Sequence, residues 1–82
     1  MKTTIEISMY PLNAEYIPII SEFIERLNIY QNIKIKTNAT STQIVGEYDE
    51  VMDLLKKEIK LSFKKHGKAI MVMKVLNGEL DI

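Results

Sequence analysis

Between residues 37 and 43 the chain reads Thr37-Asn38-Ala39-Thr40-Ser41-Thr42-Gln43, a run of small hydroxyl and amide side chains without charge. Hydroxyls and carboxamides both donate and accept hydrogen bonds. They suit a neutral polar ligand better than a phosphate or a metal ion. The plain structural alternative is a polar hairpin, because threonine favours strands and asparagine favours turns. Tyr10 offers a second chemical group, a polar tip on an apolar ring, and Ser8 shares its face. Glu47 is a third, a carboxylate near the end of an apolar stretch.

Other chemistries find little support. His66 is the only histidine and sits beside Lys64 and Lys65, where it complements a helix dipole and caps the C-terminus. With no cysteine and no clustered carboxylates, no metal-ligand spacing exists. No cofactor is expected. Gly46, Gly67 and Gly78 stand apart and make no phosphate-binding loop. Lys56, Lys57, Lys60, Lys64 and Lys65 alternate with Glu50, Asp53 and Glu58, which reads as a solvated helix face. RNA recognition on a sheet needs aromatics on its central strands, and only Tyr10 and Tyr48 stand near, both at strand ends. Nucleic acid is therefore not an expected partner.

The elements that position these groups follow from periodicity. Ile5, Ile7 and Met9 alternate with Thr4, Glu6, Ser8 and Tyr10 in a half-buried strand ended by Pro11. Pro18 suits the first turn of a helix whose buried stripe is Ile20, Phe23, Ile24 and Leu27, with Glu22, Glu25 and Arg26 facing water. Asn28 to Asn32 form the exit turn. Ile33 and Ile35 alternate with Lys34 and Lys36 in a second strand that runs into the polar segment. Ile44 to Tyr48 is the third, with Gly46 marking a bulge or a close approach. Asp49 is the expected N-cap of a second helix striped by Val51, Leu55, Ile59 and Phe63, with Gly67 at its left-handed end. Ala69, Met71, Met73 and Val75 form one face of a last strand, and Ile70, Val72 and Leu76 the other. Met71 and Met73 are expected as core or interface filler. Asn77-Gly78 then turns the chain away.

Strand, helix, strand, strand, helix, strand predicts a ferredoxin-like βαββαβ sandwich, a four-stranded antiparallel sheet with two helices on one face. At 82 residues the chain makes one domain, spanning 1–82. A hydrophobic fraction of 46% and a charged fraction of 27% are those of a globular protein. The 11 basic residues balance the 11 acidic ones, so no global field steers the chain to nucleic acid or membrane. No membrane span or signal peptide is legible, and a cytoplasmic location is expected. A last strand apolar on both faces must be covered on both, which predicts a homo-oligomer packed through the sheet.

Ile7-Ser8-Met9-Tyr10-Pro11-Leu12, the run from Thr37 through Tyr48, and the blocks Gly67-Lys68-Ala69 and Lys74 through Gly78 resemble the YkoF-like family in wording and order. The Phe23-Ile24-Glu25-Arg26-Leu27 segment belongs to the same likeness. The resemblance implies a ferredoxin-like domain that binds thiamine or its hydroxymethylpyrimidine moiety without catalysis, in vitamin uptake or salvage. It also implies that a single-domain member assembles into dimers or tetramers. An aminopyrimidine presents ring-nitrogen acceptors and an amino donor. On the matching positions, Thr37, Asn38, Ser41 and Thr42 would satisfy both kinds of group, Ser8 and Tyr10 would stand alongside, and Glu47 would accept the amino protons. In an alternating strand only every second residue of 37–43 faces one pocket. The alternatives are an oligomeric structural or regulatory protein without a small ligand, or an enzyme using Glu47 as base. Nothing in the sequence sets a nucleophile or second acid beside Glu47.

Overall fold

A computed structural model describes residues 1–82. Its elements are β1 (Lys2–Pro11), α1 (Tyr16–Leu27), β2 (Lys34–Thr37), β3 (Thr42–Glu47), α2 (Tyr48–His66) and β4 (Ala69–Leu76). The sheet order is β2-β3-β1-β4, and every neighbouring pair is antiparallel. This is the expected βαββαβ sandwich. Ile5, Ile7 and Met9 of β1 and Ile44 of β3 pack with Ile19, Phe23 and Leu27 of α1 and Val51, Leu54 and Leu55 of α2. Both helices therefore lie on one face, and β1 and β3 form the centre of the sheet.

Several local readings are corrected. The third strand begins at Thr42 and stops at Glu47, so three of the seven residues of the polar run are strand and residues 38–41 form its loop. Glu47 rather than Asp49 is the N-cap of α2, and Asp49 stands within the first turn. The backbone N–H of Tyr48 donates instead to the Met1 carbonyl at 2.8 Å. On α1 the buried stripe is Ile19, Phe23 and Leu27, while Ile20 and Ile24 are only half-buried. On α2 a four-residue repeat drifts by roughly 40° per step around a 3.6-residue helix. By Phe63 it has left the core, and that ring is 41% exposed. Gly46 makes a close approach: a Cβ there would stand 3.0 Å from methyl groups of both Ile33 and Val51.

Glu58 is the largest departure from expectation. It sits among lysines in the sequence, yet it is 1% exposed. Arg26, expected to face water, reaches across from α1 and donates Nε to Glu58 Oε1 at 2.5 Å and Nη2 to Oε2 at 3.3 Å. The Tyr30 hydroxyl donates to the same Oε2 at 2.7 Å. These donors, Arg26 foremost, hold the Glu58 carboxyl below its ordinary value of 4.5, against the opposing effect of burial. Glu22, also expected in water, receives Lys65 and His66 of α2, and its carboxyl is lowered first by the Lys65 hydrogen bond. His66 thus ties the two helices together, besides standing at a helix end.

A pH dependence follows. A carboxyl whose folded pKa is depressed stabilises the fold fully above its unfolded value, near 4.5, and loses that contribution as pH falls through the lower folded value. Denaturant titrations between pH 7 and pH 3 should show Glu58→Gln weaker than the parent at neutral pH, with the gap closing below about pH 4.5. Glu22 and Glu47 leave a residual acid slope in the variant, since both are lowered. A gap constant across that range would refute the assigned role of Glu58.

Beyond β4 the chain turns back over the face that carries no helix. Thr4 donates its hydroxyl to the Gly78 carbonyl at 2.9 Å and accepts from the Leu80 N–H at 3.0 Å. Asp81 then approaches Lys34 of β2 at 3.9 Å. This strap buries Thr4 and lies over the end of the sheet where Val45, its cross-strand partner, is also buried. The other end of that face stays open around Tyr10, Ile70 and Val72.

Candidate ligand cavity

β1 outlasts β3. Its residues Lys2 to Ile7 pair with β3, whereas Ser8 to Pro11 pair only with β4. Beside this extension stand the β2–β3 connection and the stretch of α1 from Tyr16 to Ile24. The three enclose a cavity of about 370 Å³, within the range of small-molecule sites. Its apolar wall is Ile7, Met9, Ile20, Phe23 and Ile24 with the Tyr16 position, and its polar wall is the hairpin. None of its lining residues carries a charge.

The hairpin is shaped by its own side chains. Thr37 and Thr42 stand opposite one another in the last rung of β2 and β3, on the face toward the helices, with hydroxyls 3.2 Å apart. The Asn38 Oδ1 accepts the backbone N–H groups of Thr40 at 3.0 Å and of Ser41 at 2.9 Å, an Asx turn. Ser8 donates its hydroxyl to the Thr40 carbonyl at 2.9 Å, and Ser41 donates to Glu6 at 3.1 Å. The loop is therefore pinned to β1 at two points. Because residues 38–41 are not strand, the alternation expected over 37–43 applies only to its ends: Thr42 and Thr37 share the helix side, and Gln43 faces the other way.

Six of the seven residues singled out in the sequence border this one cavity: Ser8, Tyr10, Thr37, Asn38, Ser41 and Thr42. Tyr10 is 53% exposed and stands opposite Ile70 on the face without helices. Glu47 lies at the far end of β3, five residues or about 17 Å from Thr42. There it meets the Met1 ammonium at 3.2 Å and Lys2 Nζ at 3.7 Å, and the ammonium above all lowers its carboxyl. The residues of the apolar wall read in the sequence as core stripes and not as part of a site. Their signal was the pair Ile20 and Ile24, displaced by one position from the stripe that the core needs.

Asn38→Ala tests the pinning. It removes the acceptor for two backbone N–H groups, a loss comparable to that of a helix cap, about 0.5–2 kcal/mol. Hydrogen exchange at Thr40 and Ser41 should accelerate while β1 amides hold. Unchanged exchange at both would show that the turn stands without Asn38.

A family model described as thiamine-binding protein matches residues 5–77. No curated protein matches the sequence. Among solved structures, a Streptococcus pneumoniae protein superposes with a TM-score of 0.86 at 26% identity, covering 98% of this chain and 90% of its own. A Thermotoga maritima protein, provisionally named for thiamine biosynthesis or salvage, gives 0.82 at 19% identity, covering 92% and 82%. A Bacillus cereus domain of unknown function, DUF77, gives 0.76 at 18%, covering 95% and 77%. The last two likenesses are of fold.

Proposed function

The chain belongs to the thiamine-binding protein family, and we propose that its cavity binds the aminopyrimidine of thiamine, or hydroxymethylpyrimidine itself, without transforming it. The observation that carries this reading is a cavity of small-molecule size whose lining has hydroxyls, a carboxamide and apolar side chains but no charge. A neutral heteroaromatic ring needs apolar walls for its faces and a few polar groups for its edge. The apolar wall from β1 and α1 provides the first, and Thr37, Thr42 and the hairpin provide the second. The cationic thiazolium of thiamine gains nothing inside such walls and stays at the mouth.

Binding without catalysis agrees with the isolation of Glu47, which is engaged by Met1 and Lys2 away from the cavity. The setting would be vitamin uptake or salvage in the cytoplasm, in keeping with the provisional name of the Thermotoga maritima protein. No helix is long and apolar enough to cross a membrane. Assembly as a dimer or tetramer through the sheet is part of the same proposal, supported by exposed Ile70 and Val72 on the uncovered end of the open face. Isothermal titration with thiamine and with hydroxymethylpyrimidine tests the proposal. Saturable heat is expected with both. Folded protein that gives none at millimolar ligand would overturn it and favour an assembly role without ligand.

A further inference from the structure

The β1 ladder has a parity that singles out the backbone groups of one residue. The Leu12 N–H donates to the Lys68 carbonyl at 3.0 Å, so even-numbered residues of β1 direct their N–H and C=O toward β4. On the other side the Tyr48 N–H donates to the Met1 carbonyl, so odd-numbered residues direct theirs toward β3. Ile5 and Ile7 find Ile44 and Thr42 there. Met9 is the next odd residue, and β3 has already ended.

The register would bring Thr40 opposite Met9, continuing from the pair of Ile7 with Thr42. Thr40 has been turned away by side chains. Its N–H is bound to Asn38 Oδ1, and its carbonyl receives the Ser8 hydroxyl. No bond outside the regular elements, and no side-chain bond, reaches Met9. Pro11, the following odd residue, has no N–H to give. The Met9 N–H and C=O, with the Pro11 C=O beyond them, therefore lie along the β1 edge of the cavity without a partner in the chain, and only Met9 offers a donor beside an acceptor. Met9 itself is 9% exposed. Backbone groups so enclosed are nearly always paired.

Resting on the proposed pyrimidine site, we infer that the Met9 peptide edge is its specificity element. In an antiparallel rung a residue exchanges two bonds with its partner, giving its N–H to a carbonyl and receiving an N–H at its own C=O. The aminopyrimidine edge presents the same pattern: a ring nitrogen that accepts, beside an amino group that donates. The pyrimidine completes the rung that Thr40 does not make. The Met9 N–H donates to the ring nitrogen, and the Met9 carbonyl accepts from the amino group. Asn38 and Ser8 thereby act as positioning residues, since they keep the Thr40 peptide from closing the rung.

Amide-resolved NMR of the full chain with ¹⁵N-labelled 4-amino-5-hydroxymethyl-2-methylpyrimidine tests this. On saturation the Met9 amide should move downfield, become protected from exchange, and show a scalar coupling to a ring nitrogen. Ile7 is the internal control, because its amide is already in the β1–β3 ladder and protected throughout. The analogue without the amino group should bind at least about tenfold more weakly, as the Met9 carbonyl is then enclosed unpaired. Saturable binding that leaves the Met9 amide unshifted and freely exchanging would overturn the inference and spare the pyrimidine reading. Absence of any binding would overturn both.

Discussion

Leu27→Ala is expected to lower the unfolding free energy by about 2–5 kcal/mol, the usual cost of emptying a filled core position. Leu27 is 0% exposed at the end of α1 and belongs to the cluster that joins both helices to β1 and β3. A domain of this size commonly has only about 5–15 kcal/mol in total. At roughly 4–8 °C per kcal/mol, the thermal midpoint should fall by at least about 8 °C. Ile20→Ala on the same helix is the informative contrast. Ile20 is half-buried and lines the cavity, so its truncation should cost less stability and more affinity. Equal losses of stability in the two variants would refute this division of α1 into a core stripe and a cavity stripe.

The second large effect concerns the threonine pair. Valine matches threonine in shape and in preference for strands, so Thr42→Val removes a hydroxyl with little else changed. Thr42 is 4% exposed and its hydroxyl meets only that of Thr37 at 3.2 Å. Loss of one such hydrogen bond to a ligand is worth about tenfold in affinity for hydroxymethylpyrimidine. Thr37→Val should weaken binding as well. The double variant should lose less than the sum of the two, because the hydroxyls share a bond and couple. Titration calorimetry of all three variants gives the cycle. Parental affinity in the double variant would remove this pair from the site.

The sheet was legible because its core residues obey short-range rules. Ile5, Ile7 and Met9 alternate, Pro11 closes β1, and Asn77-Gly78 marks the exit from β4. The candidate site was legible in its polar half for a similar reason, since Thr37, Asn38, Ser41 and Thr42 fall in one short run of distinctive chemistry and Ser8 and Tyr10 alternate at the end of one strand. What was missed depends on contacts distant in sequence. Glu58 looks like a solvated carboxylate among lysines until Arg26 and Tyr30, 32 and 28 residues away, are folded against it. Glu22 and His66 are 44 residues apart. Glu47 reads as a plausible ligand group until β1 pairing sets it beside the chain's own ammonium. The Met9 peptide has no side-chain signature at all. Only the relative lengths of β1 and β3 reveal it.

The strap of residues 78–81 makes the outer surface of the sheet a step. One end, over Thr4, is raised by a crossing segment, and the other, around Tyr10, Ile70 and Val72, lies low. Ser8 belongs to that end, and its hydroxyl holds the Thr40 carbonyl at the rim of the cavity. A single hydroxyl therefore joins the outer surface of the sheet to the rim of the cavity.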